Sequence, residues 1–495
     1  MQRLFSEKTG PRYNLRMKVW EYGLLLLILA VGLALRWTGL DWDGYHHYHP
    51  DERYITWVAT TIEWPNDLAV ALSPTRSTFN PFYWSPEAES RGIAVLQDQP
   101  RNFAYGHVPL YAGVAATRLM EWSRPFLLTI FPSDWLLTRD VVNGIEAVEF
   151  RHLTAVSRAL TGLIDVGTIW LIFLLGRRLY DTAVGLLAAF FLAVNVMHIQ
   201  LSHFFISDPY MTFFVVAAIY LLVAGLTKGR EQSGGRWHVW AAAVCVGLAI
   251  GSKFAAVLLI LPLLLVVWLL WQERFVWGAI TAVFITFLAF FITNPFAILD
   301  LNCELLTPPV QLGPIAIPEI NWRSCYLDNI ILQGNMVRGN LVAPFTYQYD
   351  GTIPYLYYIE MQLKAGMGPL LGLAAFIGFA WVIFLAIRTT WQIIQQRDWY
   401  ALRITHYALI SVLPLAFLIP YFLSTGNFFV KFMRYLQPMT PFLMIYAAAL
   451  LWQIRQRQVR GVVVGLVGGL TAVYALAFIT IYQQEHPWTA ASKWV

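Results

Sequence analysis

What most limits the folds open to this chain is the length of its apolar blocks. Runs of roughly 18 or more residues with few charges recur from Gly23 to Tyr482. A run of that length crosses a hydrocarbon core about 30 Å thick as a helix. Charged residues make up 13% of the chain, against about a quarter in a soluble domain. The expected class is an all-α polytopic membrane protein.

About eleven spans are predicted on this criterion. They lie at 23–40, 154–176, 183–200, 209–227, 237–251, 255–271, 276–293, 367–388, 404–423, 435–453 and 461–482. The first follows a basic tail of Arg3, Lys8, Arg12, Arg16 and Lys18. Its apolar part is too long for a signal-peptide core and no small-residue cleavage site follows, so it reads as retained. Arg177-Arg178, Lys228/Arg230/Arg236, Arg274, Arg388/Arg397/Arg403 and Arg455/Arg457/Arg460 all fall on the side of that tail. Basic loops mark the cytoplasmic side. The net charge of +5 therefore belongs to orientation and calls for no nucleic acid.

The same parity places Tyr105–Trp122, which is apolar enough to pass as a span. Counting it would invert every later loop, so it is expected as an amphipathic juxtamembrane helix. The predicted organisation is a cytoplasmic tail at 1–22, a transmembrane domain at 23–482 and an extracytoplasmic tail at 483–495. Large extracytoplasmic loops cover about 41–153 and 294–366, the second with a short surface helix near Pro354–Lys364. The expected location is the plasma (inner) membrane, with the N-terminus cytoplasmic and the C-terminus and any active site extracytoplasmic. Cys245 lies in a span and reads as a core residue. Cys303 and Cys325 share the second loop, where a disulfide would be worth about 3 kcal/mol. Spacing alone does not establish that they meet.

Several polar groups stand where chemistry is plausible on the predicted outer face. His49-Pro50-Asp51-Glu52-Arg53-Tyr54 follows the first span. A carboxylate there serves as a general base and an arginine binds phosphate in fork geometry. The same cluster serves equally as an interfacial anchor. His46, His47 and His49 raise a metal, but their spacing matches no strong ligand signature. Tyr105-Gly106-His107-Val108-Pro109-Leu110 puts an imidazole at a helix start, which is also an ordinary proline-led turn. Asp208, before Pro209, is a good N-cap as well as a candidate carboxylate. Gly251-Ser252-Lys253 interrupts two short apolar runs, and interrupted helices point to sites in membrane proteins. Lys431 and Arg434 run against the positive-inside trend and so ask for an anion. Asp165 is costly within its span, and its partner is not readable.

In order along the chain these residues resemble the GT-C glycosyltransferases. They are most similar to the protein O-mannosyltransferases (glycosyltransferase family 39) and the related bacterial aminoarabinose transferase. The family's first-loop acidic pair is matched by Asp51-Glu52, and the bacterial Asp-Glu-x-Arg-Tyr by the one-shorter Asp51-Glu52-Arg53-Tyr54. Its His-Pro-Pro-Leu is matched by His107-Val108-Pro109-Leu110. Its Leu-Leu-Asp and Phe-Phe elements are matched by Ile206-Ser207-Asp208 and Phe213-Phe214. Its Gly-Leu-Ala…Lys is matched by Gly247-Leu248-Ala249 and Lys253. The resemblance spans about residues 20–300.

The resemblance implies a GT-C type bundle of about eleven helices. It implies an inverting transferase that moves a sugar, mannose or another hexose, from a polyprenyl-phosphate carrier to an acceptor hydroxyl. Asp51, Glu52 and Asp208 would carry catalysis. Arg53, Tyr54, His107, Lys253 and Arg434 would bind substrate. Because the leaving group is already a phosphate, no cofactor is required, and nothing in the sequence supports a divalent metal. The acceptor is a protein, lipid or glycan, and the loop 294–366 is too short for the lectin-like domain of eukaryotic protein mannosyltransferases. A transporter, a ligase acting on a glycan polymer, and a catalytically silent subunit of a membrane complex remain alternatives.

Overall fold

The computed structural model describes residues 17–63, 67–74, 76–83, 101–130, 150–228, 233–301, 310–312, 315–317, 324–396 and 412–494. Helix dominates, and each predicted span carries helix over its described residues. The first is α1, Val19–Trp37. In the loop that follows lie α2, Pro50–Ala59, and α3, His107–Ile130. Then come α4, Phe150–Leu179, α5, Thr182–Ala193, α6, Val196–Ser202, α7, Ser207–Lys228, and α8, Ser233–Ser252. An apolar hairpin of α9, Ile260–Trp271, and α10, Phe275–Thr293, turns at Gln272, whose φ is 42°. The second loop holds α11, Cys325–Val337, and a pair of three-residue antiparallel strands, Val310–Leu312 and Ile315–Ile317. The last third is built from α12, Pro369–Gln396, α13, Leu415–Gly426, α14, Thr440–Trp452, and α15, Arg457–Ile479.

Six described segments are long and apolar enough to cross a membrane, or seven if the bent pair α5–α6 is one span. One of the six, Phe254–Thr293, contains the whole α9–α10 hairpin. The shorter α13 and α14 are also apolar. The large core cluster is formed chiefly by α4, α5, α7, α8 and α14, which are packed on several sides.

Three local features position the rest. The expected helix 183–200 is bent by 57° because Asn195 starts a second helix, accepting a bond from the His198 N–H at 3.1 Å. Asparagine is a favoured N-cap for this reason. The expected surface helix near 105–122 runs on to Ile130, past Pro125, and exposes Leu119, Trp122, Phe126 and Ile130. The interruption predicted at Lys253 is present: Lys253 is extended (φ −160°, ψ 128°) between α8 and a short 3-10 turn. Cys325 is disulfide-bonded and Cys245 is free; Cys303 lies outside the described residues.

Asp165 acquires its partners here. Arg36 Nε donates to its Oδ2 at 2.6 Å, and His198 Nδ1 lies 2.8 Å from its Oδ1. Arg36 also donates to the carbonyls of Ala193 at 3.0 Å and Leu192 at 3.2 Å. These are terminal carbonyls of α5; the Leu192 carbonyl is shared with the Asn195 N–H at 3.2 Å, and helix-end carbonyls lack intrahelical partners. The bend, the arginine and the aspartate are one device: Arg36 satisfies the broken helix end, and Asp165 neutralises Arg36. All three side chains are fully buried. Removing one partner of such a set leaves an uncompensated charge. Asp165→Asn is therefore expected to cost about 3–5 kcal/mol, read as a lowered thermal midpoint in detergent. An unchanged midpoint would mean that the α5 carbonyls alone hold Arg36.

Candidate functional site

The site begins at the helix start of α2. His49 is its N-cap, accepting from the Glu52 N–H at 3.4 Å, and Pro50 occupies the first turn, where a missing N–H costs nothing. Successive residues of a helix are about 100° apart, so Asp51 and Glu52 cannot face the same way. Glu52 turns inward. Its Oε1 accepts from Arg158 Nε at 2.7 Å and from the Phe205 N–H at 2.8 Å, and its Oε2 from Arg158 Nη2 at 2.6 Å. Arg158 also bonds both carboxylate oxygens of Asp43, at 2.9 and 2.8 Å, and the Leu40 carbonyl at 2.6 Å. Burial would raise the Asp43 carboxyl, but the Arg158 guanidinium holds it below its ordinary value.

Asp51 turns the other way. Its Oδ2 is 2.5 Å from Arg434 Nη1, and it accepts a bond from the Tyr105 hydroxyl. His49 Nε2 stands 3.4 Å from the same Nη1. Next to this pair is a second one, Lys253 Nζ to Asp208 Oδ1 at 2.7 Å. Both cations rest near aromatic faces: the Arg434 guanidinium 4.8 Å from the Phe432 ring centre, and Lys253 Nζ 5.2 Å from that of Tyr435. Such contacts are attractive and orient the cation. Burial would raise the Asp51 carboxyl, but Arg434, His49 and Lys253 hold it below its ordinary value. Burial lowers the His49 imidazole and pushes the Tyr105 hydroxyl well up, so the hydroxyl keeps its proton.

Four segments remote in sequence thus meet: the starts of α2 and α7, the break after α8, and the 3-10 turn before α14. Two of the sequence motifs also touch directly. Gly106 N–H donates to the Ser252 carbonyl at 3.2 Å, and a Cβ at Gly106 would sit 2.0 Å from the Gly251 carbonyl oxygen. Only glycine lets the loop carrying Tyr105 lie against the Lys253 break.

The remaining predicted site residues fall elsewhere. Arg53 is exposed and lines, with Tyr54, Trp57 and Phe150, a separate groove of about 430 Å³. His107 is fully buried against Phe82, Phe103, Tyr111 and Tyr326, and its backbone N–H donates to Asn294 Oδ1 at 2.8 Å. Burial lowers its imidazole to about 3. Among the described residues no group of three or more His, Cys, Asp or Glu side chains is placed to hold a metal ion. His47 bonds Thr154 at 2.5 Å while His49 faces Arg434. Lys431 donates to the Phe429 carbonyl at 3.0 Å. A larger apolar cavity of about 800 Å³ opens between Ile62, Phe79, Tyr111 and Arg118.

Sequence reasoning passed over Arg158, Arg36, His198 and Tyr105. The signal for the two arginines was available: each is a charge inside an apolar run, as costly there as Asp165.

The chain has the fold of the GT-C glycosyltransferases. A family model described as dolichyl-phosphate-mannose-protein mannosyltransferase matches residues 150–298, a stretch that holds Arg158, Asp208 and Lys253. The chain is similar to the archaeal oligosaccharyltransferase AglB from Archaeoglobus fulgidus, solved with an inhibitory peptide and a dolichol-phosphate. That likeness has a TM-score of 0.56 at 13% identity and covers 94% of this chain and 56% of AglB. It is also similar to ArnT from Cupriavidus metallidurans, with a TM-score of 0.50 at 14% identity, covering 93% of this chain and 76% of ArnT. The chain therefore spans little more than half the length of the archaeal enzyme. No curated protein matches it in sequence.

Glu52 holds no face of the Asp51 cluster, and its loss should be felt in stability. Glu52→Gln is expected to cost about 3 kcal/mol, because Arg158 keeps only Asp43. Comparing its thermal midpoint with that of Asp51→Asn, whose pair is partly open to solvent, checks this. A larger loss in the Asp51 variant would reverse the assignment.

Proposed function

We propose that this protein transfers a sugar, mannose or another hexose, from a polyprenyl-phosphate carrier to an acceptor hydroxyl on the extracytoplasmic side, with inversion. The observation that carries this reading is the meeting of Asp51, Asp208, Lys253 and Arg434 in one partly open cluster. Two cations suit the phosphate of a lipid-linked donor, and two carboxylates suit the hydroxyls of acceptor and sugar. The dolichol-phosphate bound by the archaeal relative supports a lipid phosphate as the ligand class.

In this reading Asp51 takes the proton of the acceptor hydroxyl. The acceptor oxygen forms its bond to the anomeric carbon as the bond from that carbon to the phosphate oxygen breaks. The electron pair of the broken bond leaves on the phosphate. Charge accumulates there in the transition state, and Arg434 and Lys253 stabilise it, which is where fixed cations are worth most. Asp208 holds Lys253 in place and orients a hydroxyl. Glu52 acts through Arg158 to set the direction of Asp51 and touches no substrate.

A second reading is a catalytically silent subunit with the same fold. The engagement of Asp51 by Arg434 favours it. One assay separates the two: sugar transfer by the purified protein from a panel of polyprenyl-phosphate donors. Transfer is expected, and Asp51→Asn is expected to abolish it with the fold intact. Since Asp51 is held below its ordinary value, kcat/KM for donor, which reports the free enzyme, should show no acid limb above about pH 5. Transfer that survives Asp51→Asn, or an acid limb near pH 6, assigns the base to another group. No transfer across the panel supports the silent subunit.

A further inference from the structure

The two ion pairs of the cluster are paired with the wrong partners for the chemistry just described. A cation held against a general base weakens its hold on a proton, yet Asp51 is paired with Arg434 at 2.5 Å and accepts from Tyr105 as well. A phosphate site needs cations whose charge is not already matched, yet Arg434 and Lys253 each hold a carboxylate. Both defects vanish together if one anion takes both cations.

We propose that these pairs form a latch that the donor's phosphate opens. On this proposal, which rests on the reading of the cluster as the donor-phosphate site, the phosphate draws Arg434 from Asp51 and Lys253 from Asp208. Asp51 becomes a free carboxylate only when a donor is in place.

Four observations support it. Lys253 is the most exposed of the four side chains, at 26%, followed by Asp51 at 19%, Arg434 at 16% and Asp208 at 3%. An anion arriving from solvent therefore meets a cation before it meets Asp208. Arg434 Nε is buried and has no hydrogen-bond partner among the described residues, so part of its donor fork is unused. Guanidinium forks favour phosphate and carboxylate alike, and the two non-bridging oxygens of the donor's phosphodiester can each meet one cation. Phe432 and Tyr435 flank the two cations, so each cation keeps a second contact when its carboxylate is released. Finally, Tyr105 and His49 remain beside Asp51 to orient the freed carboxylate.

The latch has a consequence opposite in sign to that of an ordinary binding site. A ligand that must first break a competing pair binds with an affinity reduced by the fraction of open protein. Removing the competitor should tighten binding even as it destroys catalysis. The test is equilibrium binding of undecaprenyl phosphate to the wild type, Asp51→Asn, Arg434→Gln and the double variant, in detergent, with inorganic phosphate as a competitor. Asp51→Asn is expected to tighten binding by about three- to thirtyfold. That gain should disappear in the Arg434→Gln background, since the two residues act as a coupled pair. Inorganic phosphate should displace the lipid at lower concentration from Asp51→Asn than from wild type if the headgroup alone opens the latch. Displacement by the lipid form only would place the needed energy in the chain.

The proposal is overturned if Asp51→Asn binds as wild type or more weakly, if it tightens equally in both backgrounds (simple charge repulsion), or if none of the proteins binds. Should the Asp51 variants fail to fold, Asp208→Asn with Lys253→Gln gives the same cycle on the second pair. The outcome is separable from that of the transfer assay. A flat binding cycle in an active enzyme removes the latch alone, and a positive cycle in an inactive protein removes the transferase reading alone.

Discussion

Arg158 is the contact on which the arrangement of the loop end depends. It projects from α4, a helix of the bundle, and bonds two carboxylates and a carbonyl that all belong to the first loop. A ten-residue helix such as α2 is not stable by itself, and α2 has only a modest apolar face to bury. The charge network fixes its rotation. Once Glu52 is bound to Arg158, helical geometry leaves Asp51 about 100° away, toward the turn that carries Arg434. Buried ion pairs of this sort add uncertain net stability, since desolvation offsets their attraction. Here the gain is in orientation: Glu52–Arg158 adds a directional contact to the burial of Ile55, Val58 and Ala59.

A second constraint is steric. The loop before α3 lies directly against the break between α8 and the following turn, at Gly106 and Gly251. This brings Tyr105 and Lys253 to the same place from segments almost 150 residues apart in the chain. Neither motif means much alone. A glycine before a histidine is a common turn, and a lysine between two apolar runs is a common snorkelling residue. Their contact turns two weak signals into one site, with Asp208 supplying the counter-charge that lets the lysine lie beside the bundle.

The spans were legible because lipid demands long apolar runs and nothing else in the chain resembles them. The convergence of Asp51, Asp208, Lys253 and Arg434 was foreshadowed by parity, which assigns all four to one face of the membrane. What parity does not carry is rotation about a helix axis. Hence Asp51 and Glu52, adjacent in sequence, looked alike and point apart, and Arg53 and Tyr54 followed Asp51 in the motif but line a different groove. His107 resembled a ligand by motif and is enclosed by aromatic rings. The bend at Asn195 was hidden for another reason: an asparagine inside an apolar run reads as a tolerated polar residue until Arg36 is seen to cap the end it creates. The two short strands of the second loop lie in a stretch with no periodic pattern to announce them.

The molecule also contains its own control for what a charge cluster signifies. Arg36, Asp165 and His198 form a network as rich as that of Asp51, Arg434 and His49, with an arginine, an aspartate and a histidine in each. Chemical composition cannot tell them apart, and both contain a charge that is costly near lipid. Burial does. In the first, every side chain is fully buried and Arg36 spends its donors on Asp165 and on the carbonyls of a broken helix. In the second, Asp51 is 19% exposed, Arg434 has a donor unspent, and a lysine–aspartate pair stands alongside. The structural network is sealed from solvent; in the cluster at the start of α2, Asp51, Arg434 and Lys253 all reach it.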